Sequence, residues 1–187
     1  MLGVIRPTAE CIGQITHSRH VGILATSGTI SSGSYPLEIR KLYPDIVVSG
    51  EACPMWVPLV ENYEYDSPGA DYFVEKRIGN LLRKDPAIDT IVLGCTHYPL
   101  LLNKILKYTP RNVRIVPQGE YVAYSLKDYL QRHTEIETLC TQSGTCRFLT
   151  TESPDKFMES ASIFLRQHVE AERVVLESVS YTHLTLP

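Results

Sequence analysis

Short apolar runs alternate along this chain with stretches in which apolar residues recur at helical spacing. His20 to Leu24, Asp45 to Ser49, Asp89 to Leu93, Val113 to Val116, Cys146 to Leu149 and Val174 to Leu176 read as strands, and Leu2-Gly3-Val4-Ile5 as one more at the start. Helices are expected over residues 8–17, from Ser31 to Leu42, Met55 to Val60, Ala70 to Arg83, Leu100 to Lys107, Val122 to Leu130 and Pro154 to His168. The strongest of these runs from Ala70 to Arg83, where Tyr72, Val74, Ile78, Leu81 and Leu82 mark one face. The first helix is expected to start after Pro7, with Thr8 as its cap. The polar segments 62–69 and 133–145 read as surface connections. Alternation of this kind predicts an α/β fold, a Rossmann-like lobe with a mostly parallel sheet flanked by helices.

Composition narrows the classes. The 187 residues are 43% hydrophobic and 21% charged, ordinary for a globular protein, and long enough for one sizeable core. A formal net charge of −3 implies no polybasic surface for nucleic acid. No apolar run approaches the roughly 20 residues that span a bilayer, so no membrane partner is expected. The five cysteines, 11, 53, 95, 140 and 146, are odd in number, widely spaced and without a C-x-x-C pair. A reduced, cytoplasmic protein is the simplest reading, with no zinc site.

The richest chemistry lies in Leu93-Gly94-Cys95-Thr96-His97-Tyr98-Pro99-Leu100. It follows a buried-strand pattern and leads into a helix that Pro99 suits. In open α/β sheets the carboxyl ends of strands are where ligands bind. A free thiol titrates near ~8.5, and a helix N-terminus in good geometry supplies up to ~2 kcal/mol, more than one pKa unit. Cys95 is therefore expected to lean toward thiolate, with His97 beside it. Plainer readings stand next to this one: Cys95 as a small apolar filler, His97 facing solvent, Thr96, Thr26 and Thr29 as caps, and Glu61 as an exposed helix-end carboxylate.

Four segments in register resemble glutamate racemases, of the aspartate/glutamate racemase superfamily. Residues 93–100 resemble the family's second cysteine motif. Residues 22–35, with Thr26, Gly28, Thr29, Gly33 and Tyr35, resemble its strand–loop–helix. Residues 52–61 resemble its Cys-Pro loop ending in a glutamate, and Arg147 to Thr151 with Pro154 and Phe157 its last strand and helix. The resemblance implies racemisation of glutamate without cofactor or metal. One cysteine thiolate removes the α-proton from one face, and a second cysteine delivers a proton to the other. It makes Cys95 the second of these cysteines, His97 and Glu61 its catalytic assistants, and Thr96, Thr26 and Thr29 substrate-binding residues. It also implies supply of D-glutamate to peptidoglycan, and it admits a homodimer.

The family's Asp-Ser, Pro-Tyr-Gly and Cys-Asn-Thr motifs do not occur in this chain. The expectation is therefore an intact lobe over residues 2–117, a partial second lobe over 118–177, and a non-native or disordered tail over 178–187. A chain so built would be inactive alone. The alternatives are an aspartate or other amino-acid racemase, a non-catalytic ligand-binding lobe, and a cysteine hydrolase using Cys95 and His97.

Overall fold

The computed structural model describes residues 3–141 and 144–176. Four parallel strands, β1 (His20–Ala25), β2 (Val47–Ala52), β3 (Thr90–Leu93) and β4 (Arg114–Pro117), form one sheet in the order β2-β1-β3-β4. The side chains alternate across it, as the pleat requires. Leu24, Ile91 and Leu93 pack on one face with Val60 of α4 (Trp56–Glu61), Val74, Ile78 and Leu81 of α5 (Pro68–Lys84), and Ile105 of α6 (Leu102–Tyr108). Val21, Ile23, Ala25 and Val92 face the other way, onto Ala9 and Ile12 of α1 (Ile5–Ile15) and Tyr35 and Ile39 of α3 (Ser34–Leu42). The result is the expected α/β fold, a parallel sheet with helices on both faces. Among the described residues no helix is long and apolar enough to cross a membrane.

The strand order carries the functional consequence. From β1 the chain crosses to β2 on one side, and β3 is then laid on the other. The carboxyl ends of β1 and β3 thus flank a topological switch point, the place where ligands enter such sheets. Thr26 follows one of these strands and Cys95 the other.

Two compact units divide the chain, residues 1–139 and residues 140–187. The first includes α7 (Gly119–Arg132), which lies against α1, and the single-turn helix α8 (Thr134–Glu137). The second joins β5 (Phe148–Thr150) and β6 (Ala171–Arg173) in a parallel pair, with α9 (Pro154–Leu165) between them in sequence. The Phe148 and Phe157 rings stand 6.4 Å apart there, and Arg147 pairs with Glu172 at 2.9 Å. Residues 178–187 lie outside the described residues.

Several elements differ from expectation, each for a local reason. No strand occupies Gly3 to Ile5, because α1 already begins at Ile5. Pro7 sits inside the first turn, where a missing N–H costs nothing, rather than just ahead of the helix. The helix expected from Ser31 to Leu42 is two helices, α2 (Ser27–Ser32) and α3, broken where Gly33 takes φ +62°. Positive φ suits a glycine. β2 runs on through Ala52, beyond the Ser49 end expected for this strand. The last strand is Ala171–Arg173, not Val174 to Leu176. Its partner β5 offers three residues, so pairing is exhausted once the Val174 N–H donates to Thr150 O.

Candidate active site

The site is built outward from Gly94. Its N–H donates to Leu24 O at 2.8 Å, tying the end of β3 to β1. A Cβ there would stand 3.0 Å from Ala25 Cβ and 3.2 Å from a Tyr35 ring carbon, so glycine allows the close approach. Cys95 leaves this turn half-buried. The chain then enters a 3-10 turn, Tyr98–Leu101, with Pro99 in its first positions, before α6.

Tyr98 fixes the motif to its surroundings. Fully buried, it packs edge-on against Trp56 with ring centroids 4.7 Å apart, and its hydroxyl donates to Cys53 O at 3.3 Å. Trp56 in turn donates from Nε1 to Phe73 O. Full burial of two such rings contributes several kcal/mol and holds α4 beside the 3-10 turn. Glu61, at the end of α4, is thereby brought to His97.

Cys95 Sγ and His97 Nδ1 are 3.7 Å apart, and His97 Nε2 stands 3.3 Å from a Glu61 carboxylate oxygen. Thiol, imidazole and carboxylate so form a line from half-buried to exposed surroundings. A neutral His97 with its proton on Nε2 would face Glu61 with a donor and Cys95 with an acceptor. The arrangement can accept a proton from the thiol and return it.

One electrostatic expectation is corrected. Burial pushes the Cys95 thiol above its ordinary value, and the Glu61 charge adds to this. The N–H groups of His97, Thr96 and Tyr98 pull the other way, as a helix start should, but do not outweigh burial. Burial therefore favours the protonated thiol at Cys95. Cys53 is pushed up much further, chiefly by burial and then by the nearby Glu51 carboxylate. It is completely buried in the core beside Trp56 and Tyr98.

The thiol opens on a cavity of about 270 Å³ lined by Val4, Leu93, Cys95, Thr96, Pro99, Gln118, Gly119 and Val122. Thr96 is exposed at its wall. Thr26 and Thr29 are occupied locally: Thr26 caps α2, their hydroxyls are 3.0 Å apart, and the Thr29 N–H points at Thr26 Oγ1. They share the carboxyl edge of the sheet but belong to the β1 side of the switch point, while Cys95, His97 and Glu61 form one contiguous group.

Gln118 was missed from the sequence. It follows β4 at α7's start, its amide donates to Leu93 O at 2.8 Å, and it accepts from Thr8 Oγ1 at 3.0 Å. Its place just past the carboxyl end of a strand was the available signal.

Comparison with known proteins follows the same lines. A model of the Asp/Glu/Hydantoin racemase family matches residues 1–120. A glutamate racemase of Thermoanaerobacter sp. (strain X514) is 35% identical over 91% of this chain and 63% of its own length. The crystal structure of glutamate racemase isoform RacE1 from Bacillus anthracis superposes with a TM-score of 0.83 at 31% identity, over 94% of this chain and 64% of that one. Glutamate racemase from Thermus thermophilus, in complex with beta-chloro-D-alanine, gives a TM-score of 0.72 at 31% identity, over 93% of this chain and 62% of that one. The chain thus spans less than two thirds of the length of each of these relatives.

Proposed function

Because the chain belongs to the Asp/Glu/Hydantoin racemase family, we propose that it serves a glutamate racemase, interconverting L- and D-glutamate with no cofactor. Cys95 is the acid–base group on one face of the substrate. The observation that carries this reading is the line Cys95–His97–Glu61 at the wall of a cavity beside the sheet's switch point. A thiol held protonated by burial suits the donor half of the reaction, with a proton delivered from Sγ to the α-carbon. In the reverse direction His97 Nδ1 would take the Sγ proton, so that the thiolate can remove the α-proton, and Glu61 would orient the imidazole. Thr96, on the same wall, would meet the substrate's polar groups, with Thr26 and Thr29 contributing from across the switch point.

Inversion requires a second acid–base group on the opposite face. Cys53 is unsuited to it, being fully buried and held far from ionisation. We assign that role to a cysteine in the part of the relatives' length that this chain does not span. On this reading residues 2–117 form the lobe that carries Cys95, and residues 118–177 lead in sequence into the other lobe, although Gln118 and α7 pack with the first unit in this chain. A cytoplasmic location and delivery of D-glutamate to peptidoglycan belong to the same proposal.

The test is D-glutamate formation from L-glutamate, followed by chiral chromatography. It is run on the 187-residue chain and on the chain joined to the segment of the Thermoanaerobacter racemase that it does not match. Turnover is expected only in the joined protein, to be lost in Cys95→Ser and lowered by roughly 10²-fold or more in His97→Asn. Full turnover in Cys95→Ser, or a preference for aspartate, would overturn the assignment.

A further inference from the structure

We propose that Gln118 is a positioning residue for Cys95, holding the turn that carries the thiol through the Leu93 carbonyl. This rests on the reading of Cys95 as the acid–base group. The argument begins in the ladder between β3 and β4. Arg114 N–H donates to Asp89 O, and Leu93 lies opposite Pro117 at the other end of the pairing. Parallel ladders bond at every second residue, so the carbonyls after Asp89 in line are those of Ile91 and Leu93. The rung for Leu93 O would fall to the backbone of residue 118. There the chain has already turned into helical conformation, φ −76° and ψ −22°, to begin α7. The Gln118 side-chain amide takes that carbonyl instead, at 2.8 Å.

The amide's orientation is determined by its partners. A carbonyl accepts only from the NH2 end, which leaves Oε1 for the Thr8 hydroxyl, and Thr8 is fully buried in α1. An interaction with Gln118 also reaches the buried Tyr35, whose ring crowds Gly94. Three constraints therefore meet on the two residues before Cys95: Leu24 O on the Gly94 N–H, the Tyr35 ring on Gly94, and Gln118 on Leu93 O. Gln118 also lines the cavity together with Cys95 and Thr96. One side chain thus sets both the backbone from which the thiol projects and a wall of the space into which it projects.

The test is site-resolved alkylation of the 187-residue chain by iodoacetamide across a pH series, read by peptide mass spectrometry. The exposed Cys140 and Cys146 serve as internal references. In Gln118→Ala the freed turn and widened cavity expose the thiol, so Cys95 should react several-fold faster near neutral pH, with its pH–rate midpoint moved down. Cys140 and Cys146 should keep their rates. Thr8→Val, which removes the anchor behind Oε1 together with the hydroxyl's 3.3 Å contact to Val4 O at the start of α1, should shift Cys95 in the same direction by less, and it decides the matter if Gln118→Ala does not fold. Unchanged Cys95 profiles in the folded variants, or equal acceleration at all three cysteines, would overturn the proposal. Glutamate takes no part in this measurement, so its failure would leave the racemase reading standing.

Discussion

At the scale of single residues, burial decides the chemistry of the thiols. Cys53 and Cys95 are both pushed above the ordinary thiol range, chiefly by burial. A thiol raised in this way stays protonated in the folded chain while its unfolded counterpart ionises above about pH 8.5. The unfolded state then binds fewer protons, so stability falls as pH rises. The window opens at the unfolded value and closes only beyond the folded one. Cys53, the more buried, should dominate it. Urea titrations are expected to show the folded chain losing stability steadily above about pH 8.5, with a shallower loss in Cys53→Ala. An equal slope in the variant would contradict this. That Cys95, His97 and Glu61 should be considered together was legible from the sequence because residue types and a recognisable motif coincide there, and the structure does bring them together. The upward push of burial on the Cys95 thiol was not, since the number of side chains packed around a thiol is not written in its neighbours along the chain. Gln118 was illegible for a related reason. It acts through one side-chain hydrogen bond to a carbonyl 25 positions away, which no periodicity marks.

Elements in the interior of the sheet were the most legible. β1 and β3 are buried on both faces, so their apolar runs are continuous and their ends nearly unambiguous. Errors gathered where a single residue sets the boundary. Pro7 can end a strand or open a helix, and only the packing of Ala9 and Ile12 against the sheet selects the second. Gly33 can sit within a helix or divide two, and its φ of +62° divides α2 from α3. No atom outside its neighbours lies within 4 Å of where a Cβ would be, so Gly33→Ala meets backbone strain alone. Its cost should be about 1 kcal/mol, measured as a lowered urea midpoint with unchanged slope. A neutral Gly33→Ala would mean that α2 and α3 do not need the left-handed link. Since the same break places Tyr35 against Gly94, the boundary between two short helices bears on the turn before Cys95.

On the scale of the whole molecule, burial is uneven. The first unit holds nearly all the buried side chains, whereas Val169 is the one buried hydrophobic among the described residues of the second. α7 is amphipathic in pattern yet has no buried residue. The α/β class was legible from alternation alone. Strand order was not, because parallel neighbours are chosen by crossovers that leave no local trace. That order has a kinetic consequence. β1 meets β2 through Val21 and Val48, and β3 meets β4 through Thr90 and Arg114, but β1 meets β3 by bringing Val21 to Thr90. This is the longest loop the sheet must close, and long closures come late when their entropy is met by few contacts. During refolding from urea, pulses of iodoacetamide should therefore label Cys95 after Cys53 has become protected. Simultaneous protection of the two thiols would argue against this order. The residue best equipped for chemistry is then covered later than Cys53, and a chain halted on its way to the native state presents a bare thiol.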